Sequence, residues 1–157
     1  MFWERAAREV VSVEHDPEWY QRMQPQLDPG TKYILATDEA SYVGAADESA
    51  QFDVIVVDGW CRRLCGAAAL RHRAEGGIIV LDNSDWFPDI AHSFRESGLV
   101  EVDFAGFGPV QAHTWTTSVF FDGLRPPSQA AGTPHIPPGG TEFSFAVREQ
   151  IASEPHW

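Results

Sequence analysis

The stretch Phe52–Trp86, FDVIVVDGWCRRLCGAAALRHRAEGGIIVLDNSDW, decides the fold. Asp53–Asp58 is a short Val/Ile run stopped by Asp-Gly, and Gly77–Asp82 is a second such run stopped by Asp-Asn. A helix-length segment separates them, so the stretch predicts strand, helix, strand. Both runs are apolar at consecutive positions, the pattern of parallel strands covered by helices on both faces. Each delivers a carboxylate at its C-terminal end, the edge where open α/β sheets bind ligands. Asp58, Asp82 and Asn83 are therefore the first candidates for chemistry.

Working outward, Phe2–Arg8 has helical preferences but no N-cap in front of it. Val10–Val13 predicts a strand ending at Glu14-His15-Asp16-Pro17. Asp16 is a candidate N-cap with Pro17 at the first helical position, and the helix is expected to run to about Leu27. Lys32–Ala36 predicts another strand, followed by a polar segment from Thr37 to Ser41 and a brief helix over Tyr42–Ala46. Beyond the opening stretch, Phe87–Ser97 predicts a helix with Pro88 in its first turn and Gly98 as its stop. Leu99–Phe104 and Thr114–Asp122 predict strands, with a turn cluster at Gly106-Phe107-Gly108-Pro109. No helix lies between these last two strands, so they are expected to pair antiparallel. The expected organisation is one domain over residues 1–124, a Pro/Gly linker over 125–140 and a C-terminal tail over 141–157.

At 157 residues the chain can bury one proper core. Its 23 acidic and 11 basic side chains give a net charge of −12. That average field repels nucleic acid and anionic membrane, and a small-molecule partner fits better. No apolar run approaches the roughly 20 residues that span a bilayer, and no signal pattern opens the chain, so a cytoplasmic location is expected. Cys61 and Cys65 have no further cysteine to complete a zinc site, and packed, reduced thiols are expected.

Glu14 closes a strand and precedes a helix, where nucleotide-binding folds place a carboxylate on the ribose hydroxyls. The alternative is a solvated loop acid or a helix N-terminal charge. Asp58, Asp82 and Asn83 would together offer oxygen ligands to a hard cation such as Mg²⁺ or Ca²⁺, or would merely cap turns. Asp85 is a less central acid in the same loop. Trp60 and Trp86 either wall a pocket or pack loops onto the sheet. Arg62 and Arg63 read as a solvated helix face, and His113, Trp115 and Thr116 near the last strand are either substrate contacts or ordinary loop and strand residues.

The segments VVSVEHDPEWY, FDVIVVDG, GGIIVLDNSDW and FGPVQAHTWTTSVFF resemble strand motifs two, four, five and seven of class I S-adenosylmethionine-dependent methyltransferases, over roughly Phe2 to Asp122. The resemblance implies an α/β, Rossmann-like methyltransferase sheet of order 3-2-1-4-5-7-6 with an antiparallel last strand. It implies methyl transfer to a small-molecule acceptor, with S-adenosylmethionine as cofactor and a divalent cation such as Mg²⁺ as a candidate second one. Glu14 would hold the cofactor ribose with His15 beside it as a further cofactor-binding candidate, the segment Thr37–Glu39 with Asp38 would lie near the adenine, and Asp58 would close the methionine side. Asp58, Asp82 and Asn83 are similar to the metal ligands of catechol-type O-methyltransferases. The lysine expected after the first aspartate is replaced, however, by Cys61-Arg62-Arg63, and arginine stays protonated.

The family's glycine-rich turn should precede Phe2–Arg8, yet no glycine stands before Glu14. The expectation is a sheet incomplete at its N-terminus, with either two unpaired inner edges or direct pairing of Val10–Val13 with Val54–Val57. Weak cofactor binding by the chain as it stands is expected with it. Two rival readings are a non-catalytic remnant or interaction domain of the same fold, and a nicotinamide-dinucleotide domain.

Overall fold

The computed structural model describes residues 2–107 and 113–123. They form two compact units that part between Ala50 and Gln51. The predicted linker and tail lie outside the described residues.

The first unit runs α1 (Phe2–Ala6), β1 (Val11–Glu14), α2 (Pro17–Met23), a 3₁₀ turn (Gln24–Gln26), β2 (Lys32–Leu35) and α3 (Glu39–Val43). β1 and β2 are parallel, in register from Val11↔Lys32 to Glu14↔Leu35, so both C-terminal ends lie side by side. α2 begins as the sequence predicts, because the Asp16 carboxylate accepts from the backbone N–H of Glu18 and Trp19. It stops at Met23 rather than near Leu27. Pro25 has no N–H to donate and its ring crowds the preceding turn, so the chain tightens into 3₁₀ form. Tyr20 stacks on Tyr33 with ring centroids 4.4 Å apart, fastening α2 to β2.

The second unit runs β3 (Phe52–Val57), α4 (Arg62–His72), β4 (Arg73–Leu81), α5 (Pro88–Glu96), β5 (Leu99–Phe107) and β6 (Thr114–Asp122). Its sheet order is β3-β4-β6-β5. β3 and β4 are parallel, and β6 is inserted antiparallel to both β4 and β5. That is the 4-5-7-6 portion of the expected order, including the antiparallel pairing of the last two strands. Within the first unit β1 pairs with β2, and within the second β3 pairs with β4.

The core lies between this sheet and α4 and α5. Val57, Ile79, Leu81, Leu99 and Phe120 meet Ala69, Phe87, Ile90, Ala91 and Phe94, all under a tenth exposed. Phe94 and Phe120 meet edge to face at 4.9 Å. The other face differs from the expectation of cover on both sides. Strand alternation sends Ile55 and Val57 toward the core and turns Val54 and Val56 outward, where they are 37% and 45% exposed. Val100, Val102 and Phe104 of β5 are exposed likewise.

Two further boundaries depart from the sequence reading. The short helix lies at Glu39–Val43 instead of Tyr42–Ala46, because Asp38 accepts from the Ser41 N–H and caps it, and the helix ends at Gly44. The Gly106-Phe107 pair is strand rather than turn, held by pairing with Trp115 and Thr114. Backbone pairing with β6 overrides the local turn preference there.

Candidate functional site

In the first unit the carboxylate Oε1 of Glu14 accepts the backbone N–H of His15 at 2.7 Å and of Asp16 at 2.8 Å. The His15 Nδ1 lies 3.1 Å from the same oxygen. These bonds fix the carboxylate just beyond the C-terminal end of β1. His15 is half exposed and meets the edge of Tyr42 on α3 at 6.1 Å. Asp38 also sits at this end of the two strands, and its bond from Ser41 holds its carboxyl below the usual range. Glu14, His15 and Asp38 are thus placed at one edge of the small sheet, as the sequence predicts, with Asp38 already serving as a helix cap.

In the second unit the strand-end residues converge on a group that the sequence reading set aside. The Arg62 guanidinium donates from Nε to the Gly59 carbonyl at 3.1 Å and from Nη1 to the Asp82 carbonyl at 3.0 Å. Nη1 also reaches Asn83 Oδ1 at 2.9 Å, while Nη2 reaches the Asp58 carbonyl at 2.7 Å and Asp58 Oδ1 at 3.1 Å. Arg62 is far from a solvated helix face: its side chain is 13% exposed and lies over the Phe87 ring at 5.2 Å. Arg63 is buried too, paired to Asp89 of α5 at 2.7 Å. Two arginines opening a helix resemble a surface charge run in sequence. Carbonyls at the neighbouring strand ends and an aromatic ring beneath are what draw them in.

Asp58 and Asp82 face each other from neighbouring strands. Desolvation, a hydrogen bond with Asp82 and its negative charge raise the Asp58 carboxyl to about 6, against the opposing pull of Arg62. The Asp58 side chain nevertheless presents 61% of its surface, so the carboxyl pair stands at the rim of the protein rather than inside it. Thr117 of β6 donates its hydroxyl to Asp82 Oδ1. Among the described residues no group of three or more His, Cys, Asp or Glu side chains is disposed to hold a metal ion.

Behind this edge, on the covered side of the sheet, lies a polar knot that the sequence did not announce. Ser84 Oγ bonds Ser118 Oγ and the Thr116 carbonyl, and Ser118 meets Asp103 at 2.6 Å. Asp85 is 7% exposed; its Oδ1 accepts the Thr116 N–H at 2.9 Å, and its Oδ2 is buried without a hydrogen-bond partner. Burial pushes the Asp85 carboxyl up. Thr116, a candidate substrate contact by sequence, is wholly buried and serves this knot through its backbone. Trp86 packs against the core, the role of joining loop to sheet. Cys61 and Cys65 are thiols rather than a disulfide, Cys61 buried and Cys65 donating to the Trp60 carbonyl at 3.5 Å.

No protein-family model matches the chain, and no curated protein does. Solved structures do. One is the N-methyltransferase NodS from Bradyrhizobium japonicum WM9 in complex with S-adenosyl-L-homocysteine, at 16% identity and TM-score 0.55 over 77% of this chain and 71% of that one. Another is the precorrin-6y C5,15-methyltransferase from Geobacter metallireducens GS-15, at 12% identity and TM-score 0.54 over 73% and 68%. A third is the O-methyltransferase TomG from Streptomyces achromogenes in complex with S-adenosylmethionine, at 16% and 0.54 over 73% and 62%. At these identities the likeness is one of fold, and the fold is the α/β, Rossmann-like architecture of class I methyltransferases.

Proposed function

We propose that this chain serves S-adenosylmethionine-dependent methyl transfer to a small-molecule acceptor. The observation that supports the reading best is the strand order β3-β4-β6-β5, with an antiparallel strand inserted beside a parallel pair and a carboxylate just past each parallel strand end. A nicotinamide-dinucleotide domain shares the strand-end acid but not that insertion.

In this reading Glu14 accepts the ribose hydroxyls, and the backbone N–H groups of His15 and Asp16 hold its carboxylate in place. His15 and Asp38 border the same end of the first sheet. The cofactor supplies a methyl group activated by a sulfonium, so the residues need to position an acceptor in line with it more than to perform chemistry of their own.

A thermal-shift comparison of S-adenosylhomocysteine with NADH tests the reading on wild type and Glu14→Gln. Stabilisation of the wild type by S-adenosylhomocysteine alone, lost in the variant, supports it. A shift with NADH alone would transfer the chain to dinucleotide binding, and no shift with either would make it a non-catalytic domain of the same fold.

A further inference from the structure

The oxygens gathered around Arg62 are of the kind that a hard divalent ion seeks. They comprise the carbonyls of Asp58, Gly59 and Asp82 and the side-chain oxygens of Asp58 and Asn83. A guanidinium has five N–H donors, and here these five acceptors match them. None is left over for an anionic substrate, and an approaching divalent cation would meet a fixed positive charge already bonded to its would-be ligands. Asp58, Asp82 and Asn83 therefore do not fit a metal while Arg62 is present.

The backbone is bent to make this arrangement. Cys61 (φ 51°) and Asn83 (φ 52°) are the two non-glycine residues with left-handed backbone among the described residues. The first adjoins Arg62 and turns α4 so that its opening residue reaches back to Asp58. The second presents its side-chain oxygen to the same guanidinium. Left-handed backbone at non-glycine positions persists only where the surroundings hold it, and both instances flank this one group.

We propose that Arg62 is the resident cation of the β3–β4 edge, standing in the place of a divalent metal, and that removing its guanidinium turns the edge into a metal site. This holds whether or not the chain transfers a methyl group. The electrostatic work a metal would do, holding two carboxylate-bearing strand ends together, is done by a side chain that cannot be chelated away.

The test is Mn²⁺ titration followed by electron paramagnetic resonance on wild type, Arg62→Ala, Arg62→Lys and Arg62→Ala/Asn83→Leu. Wild type and Arg62→Lys are expected to bind no Mn²⁺ at this edge. Arg62→Ala should gain one site, about tenfold or more tighter than any background binding, weakened again by Asn83→Leu. Ethylguanidinium should displace Mn²⁺ from Arg62→Ala, an effect that a merely structural role for the arginine does not produce. Saturable Mn²⁺ binding by wild type that Asn83→Leu abolishes would overturn the proposal, as would a folded Arg62→Ala that takes up no ion. If Arg62→Ala does not fold, the wild-type and Arg62→Lys titrations still decide, since uptake at this edge by either contradicts it.

Discussion

Arg73 and Asp122, forty-nine positions apart, form a two-pronged ion pair of 2.8 and 2.9 Å that ties the start of β4 to the end of β6. Asp122 Oδ2 also accepts the Gly76 N–H at 3.1 Å. These bonds hold the Asp122 carboxyl below its ordinary 3.8. A depressed carboxyl contributes stability that is present above the unfolded value and is lost as pH falls through the folded one. The urea midpoint should therefore drop as pH is lowered from about 5 to about 2, and Asp122→Asn should flatten part of that slope. An unchanged slope in the variant would show that the pair adds nothing in solution.

Arg63 is more deeply placed, its side chain 7% exposed between Phe87 and Asp89. Asp89→Ala leaves a buried guanidinium short of its carboxylate and should cost about 1–3 kcal/mol in urea unfolding. Arg63→Met keeps an apolar stem over the Phe87 ring and removes the buried charge itself. It should be the milder of the two changes, because an apolar replacement of a buried ion tolerates loss better than half a pair does.

Phe120 is the pivot between the two kinds of pairing in the second sheet. It lies opposite Ile79 in β4 and Glu101 in β5 and is wholly buried against Phe94. Phe120→Ala should cost about 3–5 kcal/mol. Val119→Ala, one residue along and facing away from the helices, should cost clearly less, and equal losses would show that the core does not lie where the helices pack.

Gly98 follows α5 with φ 90°, a backbone that L side chains rarely adopt. Open space surrounds the position of its missing Cβ, so the penalty of a side chain there is conformational alone. Gly98→Ala should cost about 1–2 kcal/mol, measurable by thermal unfolding.

Most of this architecture was legible in the chain. Asp16-Pro17, Pro88 and Gly98 mark helix ends by local chemistry, and the Val/Ile runs before Asp58 and Asp82 mark parallel strands whose carboxylates do reach one edge. What escaped was non-local. Gly106-Phe107 looks like a turn until Trp115 and Thr114 pair with it. Residues Arg73–Gly76 precede the apolar run that defines β4, and only Asp122 and the neighbouring strand explain why they are extended. Arg62 and Arg63 look like surface charges until the carbonyls and the ring that receive them are in place. The outward face of Val54 and Val56 could not be told from a covered one, since an unbroken apolar run suits both.

The most direct test of the methyltransferase reading is an amide NMR titration with S-adenosylhomocysteine, because the N–H groups of His15 and Asp16 are bonded to the carboxylate proposed to hold the ribose. These two amides should show saturable shifts, absent in Glu14→Gln and absent with NADH. Shifts confined to other amides, or His15 and Asp16 shifts that persist in Glu14→Gln, would contradict it.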